Sequence, residues 1–131
     1  MRSFIAIFCL LATTGCYLDS PTIPSPIDIE LTLAPGQSAA VPGAPVSVKF
    51  TGVTGDNRCP ADALCVLAGS ATVKLEAAGS SGLREIAFET GEPRPVAYDG
   101  LTLELVQLSP YPFSATPIQP SDYRATVRIR R

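Results

Sequence analysis

Histidine and tryptophan are absent from this sequence, and its single methionine is residue 1. Most nucleophilic and general acid–base constellations use a histidine, so the commonest catalytic schemes have no base here. The two lysines, Lys49 and Lys74, alternate with apolar residues and have no serine motif beside them. Two carboxylates can serve a glycosidase. Asp56 and Asp62 are the nearest such pair, but a chain without tryptophan offers little sugar-binding cleft. There is no glycine-rich phosphate loop. Basic residues are not in excess either: the formal charge is −2, which gives nucleic acid no reason to bind. These absences predict a protein that is not an enzyme, uses no cofactor and does not bind nucleic acid.

Long apolar runs are also missing. The longest candidate, Phe4–Leu11, has eight residues and is too short to span a bilayer as a helix. It follows Arg2 and precedes Ala12-Thr13-Thr14-Gly15-Cys16, the order of an export signal: charge, apolar stretch, small residues. Small residues before a cysteine resemble the lipobox of bacterial lipoproteins. The resemblance implies that residues 1–15 are removed and that Cys16 is lipidated as the first mature residue. An ordinary cleaved signal peptide, with Cys16 a spare thiol, is the alternative. Thr13 departs from the leucine usual in a lipobox. Tyr17 then follows the lipidated cysteine; under the common sorting rule, a residue other than aspartate there implies the outer membrane of a diderm cell.

What is abundant is proline and glycine, thirteen and ten residues, in a chain 46% hydrophobic. That mixture suits short strands joined by many turns and is too apolar for disorder. Prolines 21, 24 and 26 make residues 16–26 a lipidated, extended tether of polyproline type, or a leader of no fixed length. The domain proper is expected over 27–131. Removal of the signal leaves nine basic and twelve acidic side chains.

From Ile27 the apolar period is two. Ile27, Ile29, Leu31 and Leu33 alternate with Asp28, Glu30 and Thr32; Val46, Val48 and Phe50 with Ser47 and Lys49; Val73, Leu75 and Ala77 with Lys74 and Glu76. Ser38–Val41 reads as a short return strand after Pro35-Gly36. Arg84, Ile86 and Phe88 share a face opposite Glu85 and Glu89, after a four-residue connection Gly79-Ser80-Ser81-Gly82. Val96–Tyr98 joins Leu101–Leu108 through Asp99-Gly100, a pair suited to the positive φ angles of a type I′ turn. Ser109–Pro120 reads as irregular. Tyr123, Ala125, Val127 and Ile129 alternate with arginines, which predicts a half-solvated edge strand. Leu101–Leu108 is apolar on both faces and is expected in a sheet interior. The whole predicts an all-β antiparallel sandwich, immunoglobulin-like or Greek-key, of seven to eight short strands.

Four cysteines reduce to two in the mature chain once Cys9 leaves with the signal and Cys16 takes the lipid. Cys59 and Cys65 then remain in an exported, oxidising compartment, which favours a disulfide over free thiols. A metal site is the third reading, and zinc's four ligands are hard to find with no histidine. The intervening Pro60-Ala61-Asp62-Ala63 suits a helical turn with proline first.

Around these cysteines, Asp56-Asn57-Arg58-Cys59-Pro60, then Cys65 and Ala68-Gly69, resembles a motif of small secreted or lipid-anchored bacterial proteins. Its usual form is Asp-Ser-Arg-Cys-Pro followed by Cys-Val/Ile-Trp-Ala-Gly. Pro35-Gly36, Pro110-Tyr111-Pro112 and Asp122-Tyr123-Arg124 match further features of that family. The resemblance spans Ile29 to Ile129 and implies a β-sandwich in the cell envelope, with no established activity. Asn57 replaces the serine, and Leu67 stands where the family prefers tryptophan, either a stacking platform that is lost or a core position.

Asp56, Arg58 and Asp62 are the candidate residues of a recognition loop made rigid by Cys59–Cys65. The alternative is structural: an aspartate accepting backbone N–H bonds and an arginine paired with it. The terminal arginines 124, 128, 130 and 131 either meet anionic lipid or polysaccharide, or form a solvated face. The reading is therefore a non-enzymatic envelope lipoprotein, anchored to the membrane through Cys16. It acts as a binding or structural module toward an envelope protein or polysaccharide. The alternative is an inhibitor of an exported enzyme that presents the loop Arg58–Cys65.

Overall fold

The computed structural model describes residues 21–131. The predicted signal peptide and the predicted lipidation site Cys16 lie outside the described residues, as does the first part of the predicted tether. Eight strands follow in order: β1 Asp28–Leu33, β2 Ser38–Ala40, β3 Ser47–Thr54, β4 Thr72–Gly79, β5 Gly82–Glu89, β6 Val96–Tyr98, β7 Leu101–Ser109 and β8 Arg124–Arg130. They form two four-stranded antiparallel sheets, β1-β8-β7-β6 and β2-β3-β4-β5, stacked as a sandwich. The chain meanders within each sheet, and β1 docks on β8 to complete the first. Within neither sheet are consecutive strands interleaved in Greek-key order.

The period-two residues become the core. Val48, Phe50, Val73, Leu75, Ala77, Ile86 and Phe88 from one sheet meet Leu33, Leu101, Leu103, Ala125, Val127 and Ile129 from the other. Burying such side chains contributes roughly 1.5–3 kcal/mol each for the larger ones, and it is what selects the strand register. On β7 the alternation slips: Leu101, Leu103 and Leu105 are buried, then Leu108. A β-bulge between Leu105 and Gln107 inserts Val106 and turns it outward. That extra residue is why the segment reads as apolar on both faces. As expected, β7 is interior to its sheet.

Two local expectations are corrected. β8 is not an edge strand: it lies between β1 and β7, paired along its length with both. Its outward arginines are accommodated by carboxylates on the neighbouring strands, Arg128 by Asp28 and Arg130 by Glu104. The β4–β5 connection is two residues, Ser80–Ser81, because Gly79 and Gly82 already pair. The segment Ser109–Pro120 leads into a short 3-10 turn at Pro120–Asp122, and it contains an isolated bridge between Phe113 and Thr116. The Asp99-Gly100 turn forms as predicted, with φ of 47° and 73°.

The register gives the sandwich two distinct poles. At one, Asp28 pairs with Arg130 and Arg130 with Thr102, beside the Asp99-Gly100 and Ser80–Ser81 turns. Arg131 there donates to the carbonyls of Ser25 and Gly43, both at 3.2 Å, so the incoming chain is held at this pole. At the other pole Leu33 pairs with Ala125 and Ala125 with Leu108, next to the end of β3 and the start of β4. The cysteine loop hangs from this second end. Tether and disulfide therefore occupy opposite poles.

Candidate functional site

The cysteine loop runs from the end of β3 to the start of β4. Its two limbs are zipped by backbone bonds, Asn57 N–H to the Ser70 carbonyl at 2.9 Å and Cys59 N–H to the Ala68 carbonyl at 2.7 Å. The Asn57 side chain accepts from Ser70 N–H at 2.8 Å. Gly69 makes this approach feasible. Its φ is +67°, and a methyl at its position would overlap the Asn57 carbonyl oxygen.

Cys59 and Cys65 form a disulfide, with Cα atoms 5.9 Å apart. Between them the predicted helical turn is a single reverse turn, closed by Ala63 N–H to the Pro60 carbonyl at 3.1 Å. The loop also leans on the β7–β8 connection. Ala61 N–H donates to the Pro112 carbonyl at 2.9 Å, and Asp62 accepts from the Ser114 N–H and hydroxyl at 2.9 and 3.0 Å.

Beneath the loop, Arg58 and Asp56 make a forked pair: Nε to Oδ1 at 2.9 Å and Nη2 to Oδ2 at 2.7 Å. Arg58 also donates to the carbonyls of Leu108 and Pro110, each at 3.0 Å. Tyr123 donates its hydroxyl to Asp56 at 2.8 Å, and the Tyr111 ring lies 5.5 Å from the guanidinium carbon. The pair is largely dry, with side chains only 6% and 13% exposed for Arg58 and Asp56. A forked, charge-assisted pair with carbonyl acceptors is the arrangement in which a buried arginine is satisfied.

Electrostatics follow the contacts. The Arg58 hydrogen bonds hold the Asp56 carboxyl below the usual carboxylate range, with help from Tyr123 and against the cost of burial. Arg58 is pushed up, first by its bond to Asp56. Burial raises the Tyr123 phenol, and its bond to Asp56 adds to that. The Asp62 carboxyl is lowered, chiefly by the Ser114 N–H. A glycosidase acid needs a raised carboxyl, so both members of the Asp56/Asp62 pair are shifted the wrong way for that role. Among the described residues no cluster of three or more His, Cys, Asp or Glu could hold a metal.

The structure thus brings Asp56, Arg58, Asp62, Cys59 and Cys65 together at one pole, and it sorts them. Arg58 and Asp56 face inward as a bracket; Asp62 braces the outside. The part of the loop offered to solvent is apolar: Leu64 and Val66 are completely exposed and Leu67 is 80% exposed. Leu67 is therefore not a core residue at the position where the resembled motif has tryptophan. Tyr111 and Phe113 on the neighbouring connection are about half exposed. The sequence carries a signal for this tip: Cys59–Ser70 has one charged residue, Asp62, and Ser109–Gln119 has none.

Beside the tip is a groove of about 320 Å³. It opens where β6 stops, since β6 covers only Leu101–Leu103 and leaves the far half of β7 without a neighbour on that side. Ala68, Pro93, Leu105, Val106, Leu108 and Tyr111 line it, with Arg58 as the one charged side chain. Comparison with known protein families, with curated proteins and with solved structures finds no match for this chain.

Proposed function

We propose that this protein is a lipid-anchored module of the bacterial cell envelope that binds a partner through its disulfide pole and performs no catalysis. One observation carries the reading: a rigid loop exposes Leu64, Val66 and Leu67 at the pole opposite the incoming chain. Three bare aliphatic side chains on one tip are costly in water and mark an interaction site when they cluster. The braces around the tip reduce the ordering entropy lost on association.

The anchor side of the reading rests on Cys16 and its signal-like leader. The chain is held at Ser25, so nine residues, 16–24, separate the lipid from the sandwich. The tip lies at the pole opposite the one that holds the incoming chain, which supports an orientation toward other proteins of the envelope. In the inhibitor alternative Arg58 leads the inserted loop. Its guanidinium is instead spent on Asp56 and two carbonyls, which favours the general binding module.

The test uses the full chain in a diderm bacterium. Incorporation of a labelled palmitate analogue and envelope retention are expected for the wild type and lost for Cys16→Ala. Chemical crosslinking in intact cells is expected to trap complexes that a Leu64→Asp, Leu67→Asp variant no longer forms. An unlabelled, soluble wild type contradicts the anchor; complexes unchanged by the two aspartates contradict the site.

A further inference from the structure

We propose that the β1–β8 ladder is a load-bearing latch: tension drawn between the incoming chain and the disulfide pole is carried by shear of β1 along β8, so the fold resists pulling in that direction. The geometry belongs to the fold alone. Its use in the envelope rests on the reading of the protein as anchored at one pole and bound at the other.

β1 is the last strand of its sheet and pairs with β8 only. It is also the strand that the incoming chain enters, so tension from that side reaches the sandwich through one ladder. That ladder has six register pairs, from Asp28–Arg130 to Leu33–Ala125. The Arg131 N–H extends it by donating to the Ile27 carbonyl at 2.9 Å. Side chains cross it as well: Thr32 and Thr126 share a hydrogen bond of 2.9 Å, and Arg128 meets Asp28 at 2.8 Å. Ile27 and Leu33 are buried in the core at its two ends, with Ile29 and Leu31 packed against the core between them.

Direction decides how such a ladder fails. The hydrogen bonds between antiparallel strands lie perpendicular to them. A pull along β1 loads all the bonds at once, whereas a pull across its end breaks them one after another. Asp28 begins β1 at the tether pole and Leu33 ends it at the disulfide pole. A load held at the disulfide pole therefore pulls along the strand. Asp28 and Arg130 lie side by side at the tether pole. A pull between the two ends of the sandwich crosses the ladder there and peels it.

The other end of the load path is built to match. The cysteine loop hangs from β3 and β4 of the second sheet, yet its bonds reach the first. Arg58 donates to the Leu108 and Pro110 carbonyls, and Ala61 N–H to that of Pro112. Tyr123, immediately before β8, donates to Asp56. Force on the tip is passed through these bonds to β7 and β8, the strand on which β1 hangs. β8 is itself fixed to β7 by seven register pairs. On this path β1, with one neighbour, is the member that yields first.

Optical-tweezers pulling on the full-length chain in detergent tests the latch. DNA handles are clicked to azidophenylalanine placed at Thr22 and Val66, or at Thr22 and a position added after Arg131. At one loading rate the rupture force, which reports unfolding kinetics, is expected to be several-fold higher for the first pair of handles. A Thr32→Cys, Thr126→Cys disulfide, its formation checked by mass spectrometry, pins β1 to β8. It is expected to remove the first rupture from the Thr22–Val66 traces.

Equal rupture forces in the two directions, or a higher force between the two ends, overturn the proposal. So does a first rupture that the added disulfide leaves in place, because another element then yields before β1. Neither result touches the binding-module reading, which the crosslinks lost with Leu64→Asp and Leu67→Asp decide separately.

Discussion

At the tether pole two of the three connections are the two-residue turns Ser80–Ser81 and Asp99–Gly100, and the third, Val41–Val46, is six residues long. At the disulfide pole the β3–β4 and β7–β8 connections run from Gly55 to Ala71 and from Pro110 to Tyr123. Short turns need little beyond local chemistry: positive φ at Asp99 and Gly100, and an Asp99 carboxylate that accepts from Ser80 and Ser81. Long connections carry many backbone polar groups that must find partners. Here Asn57, Arg58 and Asp62 provide them, with the disulfide added. The same Asp–Arg chemistry also appears in both regions at different depths. Asp28–Arg128 sits on the solvent face of the first sheet with side chains 55% and 41% exposed, and Asp56–Arg58 is buried. Depth decides what each pair does for stability.

The comparison breaks most visibly at Arg58. Arg58→Ala strips Asp56 of its counter-charge and frees two carbonyls, and a loss of about 3 kcal/mol is expected, at the low end for a broken buried pair. Urea unfolding measures it. The double variant Asp56→Ala, Arg58→Ala should lose clearly less than the two single losses added, because no charge is left stranded.

Next comes Cys59→Ser with Cys65→Ser. Opening so small a loop costs about 2 kcal/mol in the chain-entropy account. The zipped limbs and the Asp62–Ser114 bond stay in place, so Tm should fall while the tip's protection from hydrogen exchange at Cys59 and Ala61 N–H persists. Complete loss of that protection would make the disulfide the principal brace.

Acid sharpens the contrast through Asp56. Its folded pKa lies below the ordinary value of 3.8, so its contribution is fully present above that value and is lost as pH falls through the depressed one. Unfolding curves from pH 6 to pH 2 should show an acid limb that Asp56→Asn flattens.

Smallest is Arg128→Ala. Its pair with Asp28 is solvated on both sides, and its removal should leave the unfolding midpoint within replicate error. A loss comparable to that of Arg58→Ala would erase the distinction between the two pairs.

Much of the sandwich can be read from the chain because it is written in neighbours. Alternation at Val73, Leu75 and Ala77, or a turn at Asp99-Gly100, depends on residues one to three positions apart. The pairing of β8 does not. Its arginines read as an edge, and only the carboxylates of Asp28 and Glu104, brought in on flanking strands, show why they sit in a sheet interior. Arg58 is the same case. Its burial is set by carbonyls at Leu108 and Pro110, which β7 of the first sheet and the connection after it carry to a loop of the second. Asp56 beside it is readable as its partner, two positions away. The exposed tip was legible only as a scarcity of charge between Cys59 and Ser70, because exposure depends on what the other loop leaves uncovered.

The central claim is that the disulfide pole, and not the tether pole, meets a partner. Photo-crosslinking in living cells tests it directly, with one benzophenone side chain placed at Val66 or at Ser80 of the full-length chain. The account predicts a discrete adduct from Val66 that disappears with Leu64→Asp and Leu67→Asp, and none from Ser80. Adducts from Ser80 with a silent Val66 would contradict it.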